Sequence, residues 1–221
     1  ILLSWFLILK IIKIKNVEIS NKNVSDLVSN CMIGIIVGGR LGYVIFYNPE
    51  YYISNLLEIF KIWNGGMSFH GGFMGVVIAV IYTSKTHKIP IMFFSDLISI
   101  VSPIGIFFGR IANFINGELY GKITNHQFGV VFPKGGSLPR HPSQLYEAFF
   151  EGLMLFIIMY LLMNMSNFFN KKGLMTGCFI FLYGIFRFFV EFFREPDLHI
   201  GYLYFDLSMG QLLSLPMIII G

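Results

Sequence analysis

Three observations predict an all-α integral membrane protein of about seven transmembrane helices, the first one truncated, with a small extracytoplasmic cap. Hydrophobic residues make up 55% of the 221, charged residues only 13%, and mean hydropathy is +0.70. A soluble domain of this length lacks the surface for that balance. Apolar runs repeatedly reach the roughly 20 residues that cross a bilayer as helix, and the lysines gather in loops between them. The net charge of +4 is therefore read loop by loop. It does not point to nucleic acid, because no block of Lys and Arg interleaved with recognition residues is present. Cys31 and Cys178 lie in separate apolar runs without a CxxC partner or a ligating His spacing, so they read as packing residues and no metal is expected. The chain is expected to form a single polytopic domain over residues 1–221.

Residues 1–9 are apolar from the first position, with no basic stretch ahead of them, which is not the pattern of a cleavable signal. They end at Lys10, Lys13 and Lys15 and read as the tail of a first span. With Ile1 in place of an initiator Met, the natural N-terminus is expected further upstream. After a polar loop at 16–27, a second span covers 28–47. It contains Arg40 and four glycines, 34, 38, 39 and 42, whose missing side chains allow close helix approach, and Asn48-Pro49 ends it. Residues 50–65 place Tyr51, Tyr52 and Trp63 where an interfacial belt is expected.

The third span, 66–84, carries His70, and a basic loop of Lys85, His87 and Lys88 follows. The fourth, 91–116, begins near Asp96, read as structural or as a cap, and contains Pro103. Residues 117–146 are rich in Gly and Pro and form the extracytoplasmic loop or cap between spans four and five. Spans five (147–165) and six (174–193) flank Lys171-Lys172, and a last span occupies 206–220. Loops 10–26, 85–90 and 166–173 hold lysines almost without acids, whereas 48–65 and 195–205 are acidic or neutral, so the first set is cytoplasmic. That orientation puts His70, Arg110 with Asn113, and the charged end of span six towards the outer leaflet.

Polar groups inside such spans are functional candidates by default. Arg110, Asn113 and Asn116 are spaced three apart and share one helix face. Arg110 either pairs with a carboxylate such as Glu191 or grips a phosphate through its planar fork of donors. The two amides either donate to the same oxygens or cap the helix at its Asn-Gly turn. His70, beside two glycines, is either a proton acceptor at neutral pH or a histidine hydrogen-bonded between helices. Arg187, Glu191 and Arg194 form a charged ladder on one face, which is either an internal ion pair or part of a positive site. Two arginines against one in-span glutamate, with Arg110 in addition, leave a positive excess that an anionic ligand would balance. In Pro139–Glu147, Pro142 at the first turn and Glu147 near the start suit a helix N-terminus with Ser143 as its cap, or these residues, Arg140 among them, touch a lipid headgroup. Neither GxSxG, HExxH nor a Walker loop is present, and no cofactor is expected. An anion site with one histidine at the outer leaflet suggests a reaction on a phospholipid headgroup.

These residues resemble the prolipoprotein diacylglyceryl transferases of bacteria. The resemblance runs from about residue 28 onward through five motifs in the family's order: Gly-Gly-Arg-Leu-Gly-Tyr around Arg40, Gly-Gly-Met-Ser-Phe-His-Gly-Gly around His70, residues 109–118, residues 139–147 and residues 187–197. It implies a seven-helix inner-membrane enzyme that moves the diacylglyceryl group of phosphatidylglycerol to the thiol of the lipobox cysteine in a prolipoprotein, forming a thioether and releasing glycerol phosphate. By the same resemblance Arg110, Asn113, Asn116, Glu118 and Gly121 match the family signature, His70 its histidine, and Arg187, Glu191 and Arg194 its charged helix. The family's essential tyrosine, in a first-span stretch, is expected by the same resemblance upstream of Ile1. His70, Arg110 and Arg187 are expected to carry the chemistry, and Asn113, Asn116, Glu118, Gly121, Arg140, Glu191 and Arg194 to bind substrate. The rival expectation is a non-enzymatic lipid or anion transporter of the inner membrane, since half-buried arginines near a Gly-rich interface also suit a translocation path. Clustering of the charges at one leaflet rather than the midplane favours the enzyme.

Overall fold

The computed structural model describes residues 1–165, 171–196, 201, 203 and 206–221. Asp197, the last residue of the charged motif, and residues 166–170 of the expected cytoplasmic loop lie outside the described residues. The described chain is helical without a regular strand, and it divides into two compact units, Ile1–Ser95 and Asp96–Gly221.

In the first unit, α1 (Leu2–Ile14) continues past Lys10 and Lys13 instead of stopping at them, because lysine is a good helix former whose charge needs only a surface position. α2 (Asn21–Phe46) starts seven residues before the expected span, where Ser20 accepts from the Asn23 amide at 3.2 Å and caps it. A short helix, α3 (Pro49–Ser54), follows. α4 (Phe69–His87) is capped by Ser68, which accepts from the Gly71 amide at 3.3 Å. α2 and α4 pack through glycine on glycine. A Cβ added to Gly42 would lie 2.8 Å from Gly71 Cα, and one on Gly34 or Gly75 would run into the other's carbonyl. The sequence expectation of close approach at these glycines is met, and backbone contact replaces side-chain interdigitation.

Arg40, buried in α2, makes no ion pair within 4 Å among the described residues and is held by backbone carbonyls. Its guanidinium donates to the carbonyls of Glu58, Ile59, Lys61, Gly65 and Gly66 and stacks on Tyr52 at 5.1 Å, which pins the 58–66 segment.

The second unit holds most of α5 (Ile91–Ile115), then α6 (Ser143–Glu147), a π-helical turn (Ala148–Met154), α7 (Leu155–Asn164), α8 (Leu174–Val190) and α9 (Met209–Ile220). α6, the π turn and α7 run on as one helix of 22 residues, and with α2 and α5 it makes three helices long and apolar enough to cross a membrane. α8 and α9 are shorter apolar helices. Asp96 does act as a cap, but for α8 rather than α5: its carboxylate accepts from the amides of Gly173 (2.7 Å) and Thr176 (2.8 Å) and from the Thr176 hydroxyl (2.7 Å). A negative charge at a helix N-terminus is favourable. Ser208 and Gln211 close a capping box on α9. Residues 117–142 fold through three isolated antiparallel bridges, Gly121 to Arg194, Ile123 to Arg140 and Val130 to Arg140. Ser143 does not cap α6 as expected. Pro142 takes the cap position, and the Ser143 hydroxyl donates to the Leu119 carbonyl at 3.2 Å.

Candidate active site

The centre of the second unit is a carboxylate that the sequence reading assigned to a helix start. Glu147, the last residue of α6, has a side chain with no exposure, and three guanidiniums converge on it. Arg110 Nε is 2.8 Å from Oε2, while Arg187 Nη1 at 2.9 Å and Arg194 Nη1 at 3.2 Å share Oε1. One π turn on, the equally buried Glu151 stands 3.5 Å from Arg110 Nη2 and 3.5 Å from Arg187 Nη1. Glu191 completes the cluster by an ion pair of 2.7 Å with Arg187 Nη2. Charges this far from water need partners, since an isolated one forfeits its hydration.

The arrangement corrects two expectations. Arg110 pairs with Glu147 and Glu151 rather than Glu191, and of the expected ladder only the Arg187 to Glu191 rung forms, because Arg194 turns its guanidinium to Glu147. The expected positive excess is also absent within the cluster: Arg110, Arg187 and Arg194 face Glu147, Glu151 and Glu191. Glu151 was missed in the sequence. The signal that could have found it is two glutamates four apart at the start of an apolar span, a spacing that puts both on one helix face.

The amides of the opening face serve a neighbouring carboxylate. Asn113 Nδ2 donates to Glu118 Oε1 at 2.8 Å and Asn116 Nδ2 to the same oxygen at 3.4 Å. The Asn113 bond, then that of Asn116, holds the Glu118 carboxyl below the usual carboxylate range, with the charge of Lys134 in support. Gln144 Nε2 fixes the same turn by donating to the Glu118 carbonyl at 2.6 Å, and Gly117 takes the φ of +62° that the chain reversal requires. Gly121 lies where a Cβ would come 2.6 Å from the His141 carbonyl oxygen, so this signature glycine permits a backbone crossing. Arg140 donates to the carbonyls of Gly135 (3.0 Å) and Gly121 (3.2 Å), pairs with Glu195 at 3.0 Å and stacks on Tyr120. Its guanidinium ties the 117–142 segment together. His141, 3.3 Å from the Tyr146 hydroxyl, is pushed below the ordinary imidazole range chiefly by burial, with His126 and Lys122 adding to it.

His70 belongs to the first unit. It is the second residue of α4, exposed, with its ring edge-on to Phe69 at 5.7 Å. It lines a groove of about 640 Å³ between α2 and α4, together with Gly38, Gly42, Gly71 and Met74. Its imidazole makes no hydrogen bond among the described residues.

Long apolar helices define the class, an integral membrane protein, and three buried glutamates with partly buried arginines form a charged cluster of the kind that marks a functional site in such proteins. A sequence model of the family described as prolipoprotein diacylglyceryl transferase matches residues 1–221. A phosphatidylglycerol--prolipoprotein diacylglyceryl transferase of Rickettsia bellii (strain OSU 85-389) is 52% identical over 221 residues, which is 100% of this chain and 84% of the relative. The same figures for a relative of the same description in Rickettsia felis are 52%, 100% and 85%. One from Wolbachia pipientis subsp. Culex pipiens is 56% identical over 211 residues, covering 95% of this chain and 80% of its own. The chain belongs to the prolipoprotein diacylglyceryl transferase family and is a transferase.

Proposed function

We propose that the chain transfers the diacylglyceryl group of phosphatidylglycerol to the lipobox cysteine thiol of a prolipoprotein, the first step of lipoprotein maturation. The sulfur forms a bond to the glycerol carbon, the bond from that carbon to the phosphate oxygen breaks, glycerol phosphate departs, and the thiol proton passes to a base. The observation that carries this reading is the family match over the whole chain, and the chemistry of the residues supports it. Charge develops on the departing phosphate, and Arg110 and Arg187 are the donors for it. Arg194, Glu191 and the Asn113, Asn116 and Glu118 turn, with Gly121 and Arg140 behind it, shape the substrate-binding side. A thiol is mostly protonated at neutral pH, and His70, exposed and without a hydrogen bond among the described residues, is the proposed acceptor. The lysine distribution supports a place in the bacterial inner membrane with the chemistry at its outer leaflet.

Incubating the reconstituted protein with phosphatidylglycerol and a lipobox peptide is expected to add the mass of one diacylglyceryl group to the peptide, read by mass spectrometry. Arg110→Ala and Arg187→Ala are each expected to lower transfer at least 100-fold, the scale of losing one such donor, while the folded protein stays in the membrane by gel filtration in detergent. Full transfer in both variants would remove the arginines from the phosphate side, and an unmodified wild-type reaction would favour a transporter.

A further inference from the structure

The cluster is balanced before any lipid reaches it. Three guanidiniums oppose three carboxylates, with side-chain exposures of at most 19% and of 0% for Glu147 and Glu151. A phosphodiester anion entering this site brings a fourth negative charge into surroundings that hydrate it poorly, and like charges in low dielectric cannot all stay ionised. One carboxylate must be neutralised for the headgroup to be held.

Geometry selects which one. Glu147 holds three guanidiniums at 2.8–3.2 Å. Glu191 holds Arg187 at 2.7 Å and packs against the first turn of α9, where a Cβ on Gly210 would lie 2.5 Å from its carboxyl carbon. Among the described residues Glu151 makes two ion pairs, both at 3.5 Å. Its partner Arg110 has the most exposed guanidinium side chain of the three, at 19% against 14% and 11%. We infer that Glu151 is a positioning residue for headgroup capture: it takes one proton from solvent as the anionic phosphate arrives and frees Arg110 Nη2 for it, while Arg110 Nε stays on Glu147. The O–H bond formed on Glu151 balances the incoming charge, and the proton returns to solvent when the anion leaves. The charged and titratable groups around Glu151 are Arg110 from α5, Glu147 from α6, Arg187, Tyr183 and Glu191 on and just after α8, and Arg194 beyond it. Protonation of Glu151 loosens its own contacts to Arg110 and Arg187 and leaves the pairs of Glu147 with Arg110, Arg187 and Arg194 and of Arg187 with Glu191 in place. This inference rests on the reading that an anionic phospholipid is the substrate.

The test measures binding of short-chain phosphatidylglycerol to the full chain in neutral nanodiscs from pH 5.5 to 8.5. Affinity is expected to weaken by about tenfold per pH unit over part of that range, the signature of one linked proton, and phosphatidylcholine of equal chain length is expected to show no slope. Glu151→Gln is expected to bind phosphatidylglycerol equally well at every pH, because the amide mimics the protonated acid. His70→Gln is expected to keep the wild-type slope. A flat wild-type profile, or a slope that survives in Glu151→Gln, overturns the inference. If Glu151→Gln does not accumulate, proton uptake by the wild type on adding lipid, followed with an indicator dye in weak buffer, decides the matter: about one proton per bound lipid supports it and none refutes it. Diacylglyceryl transfer with a flat binding profile defeats this inference alone, whereas absence of transfer defeats the functional reading.

Discussion

Glu147 shows how one side chain organises a buried site. A lone carboxylate among three guanidiniums sets where each of them points, because Arg110 reaches it from α5, Arg187 from α8 and Arg194 from the turn after α8. Removing it leaves arginines without a buried counter-charge, a change that typically costs about 3–5 kcal/mol. Glu147→Ala is therefore expected to lower the unfolding free energy in detergent by that amount, measured by urea or thermal melts against wild type. Glu118 is a contrasting case, partly exposed and held by amides rather than by guanidiniums, so its charge belongs to a turn. The two residues sit in neighbouring motifs and both are glutamates. Sequence separated them only through the family signature, which contains Glu118 and left Glu147 as a helix-start residue.

At the scale of elements, glycine and π geometry set what the helices present. α2 and α4 approach at Gly34, Gly38, Gly42, Gly71 and Gly75, a pattern visible in the sequence because four-residue spacing of small residues along a span has few other uses. Gly75→Leu is expected to destabilise the protein by about 1–3 kcal/mol through overpacking. Gly105→Ala, at a helical position where a Cβ meets nothing within 4 Å, is expected to be neutral or to stabilise by about 0.5–1 kcal/mol through helix propensity. Thermal midpoints of the two variants in the same detergent check both. The π turn at Ala148–Met154 was not legible. Its residues are as apolar as any helical run, and one residue of extra winding leaves no mark in composition, although π turns recur at functional sites. The same limit hid the Asp96 partner: a carboxylate at a span end reads as a cap, but which helix it caps is a tertiary fact, and here it is α8, some eighty residues on.

Across the whole molecule, the membrane class follows from composition alone, while the charge balance of the site does not, since it required Glu147 and Glu151 to be counted with the arginines they meet. That balance shapes the pH dependence of the full reaction. His70 in the first unit is the proposed proton acceptor, and a general base acts only in its unprotonated form, so transfer is expected to rise with pH. Glu151 in the second unit is linked to lipid capture in the opposite sense, because capture needs a proton and weakens as pH rises. At lipid concentrations below saturation the transfer rate is therefore expected to be bell-shaped, with each limb belonging to one residue. His70→Gln is expected to remove the rising limb and to recover activity only as pH approaches the thiol's own value of about 8.5, where thiolate forms without help. Glu151→Gln is expected to remove the falling limb and leave the rising one in place. Saturating lipid is expected to erase the falling limb in the wild type as well, since tight occupancy no longer depends on affinity. Rates of peptide modification by mass spectrometry at low and high phosphatidylglycerol, across pH 5.5 to 8.5, test all three. A His70→Gln profile superimposable on wild type makes the imidazole dispensable, and a falling limb that persists at saturation assigns it to chemistry rather than to capture.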